Sequence, residues 1–255
     1  MAFSVVLSFV PSVRGQLILN GSFENTGSQT SSFAIKDPNG LGDAVLPNWT
    51  IGPYPNVNNL LNALMYAGET TGLAGPNNVG PGGPDNPSGQ WKFYTHPGPS
   101  PDGGNFVGVD GDSTIASPLM QSVSGLTVGS QYTLSFYQAA AQQEGFSGAT
   151  TEKWQVTFGS ESYDSTLMNT PNHGTVGWNA QSMVFTATAT TQTLSFLAIG
   201  TPNGLPPFVL LDGVSLTPLN AVPEPSQLIS ATGLIGLIAL GAIRRKLGRG
   251  RSNRT

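Results

Sequence analysis

The chain has 255 residues, 38% of them hydrophobic, and its 33 glycines and 20 prolines beside only 9% charged residues are typical of a turn-rich β protein. It contains no cysteine and two histidines, which excludes disulfides and thiolate chemistry and makes zinc or haem sites improbable. The net charge is −4, but residues 16–221 carry three lysines against thirteen acidic residues, so the body is expected to repel nucleic acid and is compatible with divalent cations.

Residues 1–15 are predicted to be a signal peptide. An apolar stretch at 2–10 is followed by Pro11 and by small residues before a cleavage site near Gln16. No basic segment precedes the apolar stretch. Either the start codon is placed too late and the signal peptide is truncated, or these residues form a buried first strand instead. We favour the signal peptide because the C-terminal residues also indicate export.

Residues 16–218 are predicted to form one all-β domain. Apolar and polar residues alternate with a period of two, which is typical of strands with one face toward a core, and no convincing helix lies outside the C-terminal tail. About nine short strands favour a two-sheet sandwich. They are predicted at residues 16–20, 49–51, 105–109, 119–123, 132–137, 154–158, 183–187, 194–198 and 208–216.

A long insertion interrupts this pattern at residues 54–104. Its centre, residues 72–89, is dense in glycine, proline and asparagine and is predicted to be loop. Residues 60–66 are the only part predicted to form a short helix. Long loops on a rigid sandwich often carry binding function, and an excursion without function is the equal alternative.

Large aromatic side chains are the candidates for sugar binding, because pyranose rings stack on aromatic faces. Trp91 and Tyr94 lie in the insertion, where burial is less certain, and are predicted to form a carbohydrate-binding platform. Trp154 alternates with apolar neighbours and is predicted to be core. Trp49 and Trp178 stand at strand starts, where either role is open.

Four short motifs follow one another along the domain: LILNGSFE at 17–24, LPNW at 46–49, a segment from VSGL to YTLSF at 123–136, and LDGVSL at 211–216. In this order they resemble the galactose-binding-like jelly rolls, which include a plant cell-wall family of unknown function and related carbohydrate-binding modules. The resemblance spans nearly all of residues 16–218. It implies a jelly-roll β-sandwich and, less specifically, binding of carbohydrate.

The same resemblance implies a structural calcium ion that ties the opening Asn-Gly-x-Phe-Glu turn to the closing strand. Carried over by motif, Glu24 and Asp212 become the metal ligands. Backbone carbonyls near Asn20 or Ser22 would complete the oxygen shell that calcium prefers. The alternative is that the two carboxylates cap turns without a metal.

Catalysis is the competing class of function, and the sequence offers little for it. Residues 110–113 (DGDS) suggest a calcium loop, but the later acidic positions of an EF-hand are missing. They are interpreted as a hairpin turn, because Asp-Gly suits positive φ angles, with a metal site as the alternative. A glycoside hydrolase needs two carboxylates about 5 to 10 Å apart, and Asp110, Asp112, Glu144 and Glu152 could supply them. Nothing marks these residues, and Glu144 and Glu152 flank a loop where solvated charges are normal. We therefore predict a protein that is not an enzyme.

The C-terminal residues combine a proline-rich linker at 219–227, a sixteen-residue apolar run at 228–243 and a basic tail at 244–255. The apolar run spans roughly 24 Å as a helix, a little short of a bilayer core, and is predicted to be a transmembrane helix. By the positive-inside rule the basic tail stays in the cytoplasm and the body lies outside. The linker contains Val222, Pro223, Glu224 and Pro225, and the basic cluster contains Arg244, Arg245, Lys246 and Arg249.

This order of elements resembles the PEP-CTERM sorting domain. The resemblance implies recognition in the inner membrane by an exosortase, cleavage near Pro223-Glu224-Pro225, and transfer to the envelope or extracellular matrix of a Gram-negative-type bacterium. The alternative is an ordinary single-pass tail anchor. The sequence thus predicts a non-catalytic exported surface or exopolysaccharide-matrix protein that binds carbohydrate, with an adhesin or envelope scaffold lacking a defined glycan ligand as the alternative.

Overall fold

The computed structural model describes residues 16–29, 32–38, 40, 42–52, 63–66, 93–95 and 97–219, and this part of the chain forms β-strands without any helix. Its strands form two antiparallel sheets. In spatial order, sheet 1 contains β1 (Phe33–Ala34), β3 (Ala63–Tyr66), β4 (Phe106–Asp110), β12 (Pro207–Pro218), β6 (Gln131–Gln142) and β10 (Thr175–Thr186). Sheet 2 contains β2 (Thr50–Ile51), β5 (Leu119–Ser124), β11 (Thr191–Thr201), β7 (Thr150–Phe158) and β8 (Glu161–Asp164), and β9 (Met168–Thr170) also pairs with β7.

The main core lies between the two sheets, where the apolar positions of the alternating strands meet. Phe196 of β11 is at its centre, with ring centroids 5.2 Å from Phe136, 5.8 Å from Trp154 and 6.3 Å from Trp49. All four side chains are buried. The period-2 pattern therefore reports the true inward face, and the predicted all-β sandwich is confirmed.

The second half of the domain follows the sequence prediction closely. Predicted strands at 105–109, 119–123, 132–137, 154–158, 194–198 and 208–216 correspond to β4, β5, β6, β7, β11 and β12, most of which are longer than predicted. Burial alternates strictly along β7, as expected for a strand with one face in the core. Strands β1, β8 and β9 have two, four and three residues, which is too short for an alternating pattern to have indicated them.

The predicted helix at residues 60–66 is wrong where the structure describes it, because residues 63–66 form β3. This strand pairs antiparallel with β4, with Ala63 opposite Val109 and Tyr66 opposite Phe106. A run of four to seven mostly apolar residues fits a buried strand as well as a helix. The strand is formed because β4 would otherwise be an edge strand, and its backbone groups accept and donate the hydrogen bonds of residues 63–66.

The predicted strand at residues 16–20 is also wrong, since residues 17–20 form bends and none of the five belongs to a strand. The Gln121 side chain of β5 replaces a neighbouring strand here. Its Oε1 accepts the Leu19 N–H at 2.8 Å, and its Nε2 donates to the Leu19 carbonyl at 2.7 Å. One buried amide thereby satisfies both polar groups of that residue, and no ladder is needed.

A second apolar cluster covers part of the outer face of sheet 1, the face turned away from sheet 2. Phe106, Phe208 and Leu210 point outward from the sheet, and Phe93 of the insertion packs on Phe208 with centroids 5.4 Å apart. The Trp178 ring meets Phe106 edge-on, and its N–H donates to the Gly98 carbonyl at 2.9 Å. The insertion thus covers one end of this face, over the end of β6, the start of β12 and Trp178 of β10, and leaves the other end of these three strands open.

No helix long and apolar enough to cross a bilayer is found among the described residues. The predicted signal peptide at 1–15, the sorting motif, the transmembrane helix at 228–243 and the basic cluster all lie outside them. These remain predictions from the sequence.

Candidate functional site

A groove of about 610 Å³ occupies the open part of the outer face of sheet 1. Its floor is formed by outward-facing residues of three adjacent strands, and loops supply its rim. The floor strands contribute Ser135 and Tyr137 from β6, Ala180 and Ser182 from β10, and Gly213 and Ser215 from β12; Gln16, Ser22 and Asp102 also line it. Serine hydroxyl groups, the Gln16 amide, the Asp102 carboxylate and the Tyr137 ring therefore line a shared open space.

Strand register brings these residues together. Tyr137 lies opposite Ala180 and also opposite Asp212, while Ser135 lies opposite Ser182 and opposite Ser215. The floor thus joins segments that lie about forty and eighty residues apart along the chain. The sequence carries only a faint signal for it, which is an aromatic residue, Tyr137, at an outward position of an alternating strand.

A β-bulge in β12 shapes the end of the groove. The register between β12 and β6 shifts between Asp212 and Ser215, and Gly213 in the bulge has a φ of 60°. A Cβ at Gly213 would lie 2.8 Å from Tyr137 Cδ2 and 3.2 Å from Asp102 Cβ. The absence of a side chain therefore lets the Tyr137 ring and Asp102 sit side by side over the bulge.

An acidic cluster lies behind this end of the groove. Asp212 is completely buried, and neither of its carboxylate oxygens makes a hydrogen bond of good geometry. Burial raises the pKa of Asp212 to about 7, and the negative charges of Asp102 and Glu24 add to the rise. The nearby Ser100 hydroxyl and Gly213 N–H oppose this effect only in part. A buried carboxylate without a hydrogen bond of good geometry requires a compensating proton or cation.

Glu24 reaches the same place from the opening turn. Its Oε1 accepts the Asn105 N–H at 2.6 Å, which ties the turn to the start of β4. Gly104 precedes this contact with a φ of 68°, and a Cβ there would collide with the Glu24 carboxylate. The structure therefore brings the predicted pair, Glu24 and Asp212, into one electrostatic neighbourhood.

Glu24 and Asp212 could hold a cation only if carbonyl or water oxygens supplied the remaining ligands. Within the described parts of the chain, no three Asp, Glu or His side chains are gathered closely enough to hold a metal by themselves. The Asn20 carbonyl already accepts hydrogen bonds from Trp49 Nε1 at 2.9 Å and Phe23 N at 3.3 Å. The buried oxygens of Asp212, without a hydrogen bond of good geometry, are the observation that favours a hard cation, which takes carboxylate, carbonyl and water oxygens.

The predicted platform of Trp91 and Tyr94 is described only for Tyr94. Its ring stacks on His173 with centroids 4.0 Å apart, and its hydroxyl accepts the Gly145 N–H at 3.1 Å. The Ser147 hydroxyl lies 3.0 Å from His173 Nε2. Tyr94 thus belongs to a loop cluster separate from the groove, and Trp91 lies outside the described residues.

The other tryptophans are structural. Trp154 is buried as predicted, and its N–H donates to the Leu210 carbonyl at 3.1 Å. Trp49 is also core, whereas Trp178 is half-buried under the insertion. None of the three lines the groove.

The segment at residues 110–113 is a capped crossover, so the hairpin interpretation is wrong. Strand β4 ends at Asp110 in sheet 1, and the next strand, β5, lies in sheet 2. Although burial opposes ionisation, hydrogen bonds from the Thr114 hydroxyl and N–H and from the Gly204 N–H hold the pKa of Asp112 below its usual range. Burial raises the pKa of Asp110 to about 7. Both carboxylates therefore accept hydrogen bonds that stabilise this turn.

Glu152 is not the solvated loop residue that the sequence indicated. It is fully buried in β7, where the Thr150 and Thr170 hydroxyls donate to its two oxygens. Burial raises the pKa of Glu152 to about 7, and these two hydrogen bonds lower it only partly. It does not line the groove, so it offers no partner to a second catalytic carboxylate there.

No known family model and no curated protein matches the chain. Among solved structures, it is similar to a family 61 carbohydrate-binding module in complex with β-1,4-galactotriose, at 13% identity and a TM-score of 0.38 over 80% of this chain and 98% of that one. It is also similar to a family 4 module, at 14% identity and a TM-score of 0.31 over 79% and 99%. A third is the C-terminal family 6 module of a marine laminarinase from Zobellia galactanivorans, at 16% identity and a TM-score of 0.30 over 47% and 85%. Similarities of this size do not assign a ligand.

Proposed function

We propose that this protein is a non-catalytic carbohydrate-binding protein of the bacterial cell surface or exopolysaccharide matrix. The observation that carries the proposal is the groove on the outer face of sheet 1, where Tyr137 stands among serine hydroxyls, Gln16 and Asp102. A sugar presents an apolar ring face and a rim of hydroxyl groups. An aromatic ring beside small polar side chains matches both features.

The same lining supports a binding role over hydrolysis. Within the part of the chain that the structure describes, Asp102 is the only carboxylate that lines the groove, whereas glycoside hydrolysis requires a pair of carboxyl groups on either side of the scissile bond. An adhesin or envelope scaffold without a defined glycan ligand is the second candidate function. It is favoured if the groove binds no sugar and deletion of the gene nevertheless abolishes cell–cell adhesion.

Replacing the groove aromatic tests the binding role. We expect Tyr137→Ala to weaken retention on a bound polysaccharide by about 5- to 30-fold, because stacking contributes roughly 1–2 kcal/mol. The full-length protein is screened by affinity electrophoresis against a panel of polysaccharides. Tyr163→Ala is the matched control, since Tyr163 is 46% exposed on β8, away from the groove.

Three outcomes separate the alternatives. Equal retention of wild type and Tyr137→Ala would show that the groove is not the binding surface. Loss of retention in Tyr94→Ala instead would move the site to the loop cluster around His173. Release of reducing sugar by the wild type would replace binding by hydrolysis.

We also propose that calcium binds between Glu24 and Asp212. The buried oxygens of Asp212, which make no hydrogen bond of good geometry, and the proximity of Glu24 support this cation. When bound, it would supply positive charge and fixed oxygen coordination, joining the opening turn to β12 near the groove floor.

The sorting proposal rests on the C-terminal sequence alone. We propose that an exosortase cleaves near Pro223-Glu224-Pro225 and transfers the body from the inner membrane to the envelope or matrix. We expect the mature protein to lack the residues after this motif, and expect Glu224→Ala to retain them. Intact mass of the cell-associated protein measures the difference, with Glu144→Ala as control. An unchanged full-length mass for both wild type and Glu224→Ala would refute the proposal.

A further inference from the structure

Among the described residues that line the groove, there is a negative charge and no positive one. Asp102 is exposed and is the only ionisable acid or base of this described lining, apart from the Tyr137 phenol. Behind it lie Asp212 and Glu24, whose charges are close enough to act on one another. A glycan in the groove would therefore meet a negative potential at the end where Asp102 and Tyr137 sit side by side.

The lysines of the described part of the chain do not offset this charge. They are Lys36 and Lys153, and that part contains no arginine. Lys153 lies on β7 of sheet 2 and pairs with Asp164, with Nζ 2.5 Å from Oδ2. Neither lysine lines the groove. Recognition of sugar carboxylates or sulfates normally uses arginine or lysine side chains, and the described lining of this groove contains neither.

We propose that the groove selects uncharged glycans and that Asp102 is the residue that rejects polysaccharides bearing carboxylate or sulfate groups. This inference rests on the proposed carbohydrate-binding function and names its ligand class. A neutral sugar can donate hydroxyl hydrogen bonds to the Asp102 carboxylate, and such charge-assisted bonds are among the stronger ones. A sugar carboxylate or sulfate at the same place would be repelled by the like charge of Asp102.

A bound cation would not reverse the sign of the charge at this end of the groove. With a divalent ion between Glu24 and Asp212, the three nearby carboxylates would still leave this end of the groove with one net negative charge. The preference for neutral glycans is therefore expected with calcium and with a chelator.

The test compares one polysaccharide with its own carboxymethylated derivative, so that the backbone is constant and only the charge differs. Affinity electrophoresis of the full-length protein is run on the best-retaining neutral polysaccharide and on that derivative. We expect the derivative to bind at least about tenfold more weakly. Raising NaCl from about 0.05 to about 0.5 M is expected to narrow this gap, because salt screens exposed charges.

Asp102→Asn identifies the residue responsible. Asparagine is nearly isosteric, so the groove keeps its shape and can still bind sugar hydroxyls. We expect the affinity of this variant for the derivative to be within about threefold of its affinity for the neutral polymer. Glu144→Gln, away from the groove, should keep the wild-type difference between the two affinities. Melting curves of both variants confirm that they are folded.

The outcomes distinguish the two levels of the hypothesis. Equal or tighter binding of the derivative by wild type, or an unchanged gap in Asp102→Asn, overturns the ligand class and leaves glycan binding standing. Failure of the wild type to bind any polysaccharide of the panel overturns the proposed function, and the inference with it.

Discussion

The free energy of unfolding of the metal-free protein is expected to fall as the pH rises from about 4 to about 7. Burial raises the pKa of Asp110, Glu152 and Asp212 to about 7 in the folded protein, from ordinary values of 3.8 for Asp and 4.5 for Glu. The folded state therefore holds protons that the unfolded state has already released. The stability that these groups contribute is complete below the unfolded pKa and is lost as the pH passes the folded one.

Glu152 provides the cleanest measurement of this effect, because it lies apart from the proposed cation site. One pKa unit corresponds to about 1.4 kcal/mol, so its shift represents roughly 3 kcal/mol between pH 4 and pH 8. Glu152→Gln removes the titration and can keep hydrogen bonds with Thr150 and Thr170. We expect this variant to be about 2–3 kcal/mol more stable than wild type at pH 8.

Urea denaturation in the presence of a chelator at pH 4.5 and pH 8 tests this prediction. The comparison at pH 4.5 is the internal control, since wild type and Glu152→Gln should differ little where the native carboxyl is protonated. Parallel pH dependences for the two proteins would contradict the prediction. They would mean that Glu152 is ionised in the folded state at pH 8 at no cost.

Calcium is expected to raise the free energy of unfolding near neutral pH by an amount similar to that of Glu152→Gln. A ligand at one hundred times its Kd stabilises the folded state by about 2.7 kcal/mol, which for a domain of this size raises the Tm by about 5–10 °C. The physical cause is the compensation of the buried Asp212 carboxylate, whose oxygens make no hydrogen bond of good geometry. Melting curves with calcium and with a chelator measure the effect.

Two variants show where the cation binds. Asp212→Asn should abolish the calcium-dependent rise in Tm. Asp110→Asn should retain it, because Asp110 is equally buried but lies beside the 110–113 turn and acts on Asp112 rather than on Glu24. Identical wild-type curves with calcium and with the chelator would count against the Glu24–Asp212 site, and the raised pKa of Asp212 would then reflect a proton held in place of a metal.

Sequence reasoning succeeded where a residue's role depends on its immediate neighbours. Alternation along a strand reports which side chains face inward, so Trp154 and Phe196 were assigned to half-buried strands without knowledge of their partners. Motif resemblance singled out Glu24 and Asp212, which the fold brings into one cluster. It said nothing of Asp102, because that residue lies in the insertion, beyond the motifs.

It failed where the partner of a segment decides its structure. Residues 63–66 become a strand because the edge of β4 is free, and Leu19 needs no strand partner because the Gln121 amide supplies both hydrogen bonds. Glu152 was assigned to solvent from its loop-like surroundings. Its burial follows from the position of β7 between β9 and β11, with Thr170 of β9 at hydrogen-bond distance.

The fold class, most strands from residue 105 onward and the inward face of the core can therefore be predicted from the amino-acid sequence, because these depend on local periodicity and composition. The location of the groove depends on how the strands pair. Its floor combines residues 135–137, 180–182 and 213–215, which are joined by strand register and by the bulge at Gly213. Register is a property of paired strands and of the space between them, and no single strand carries it.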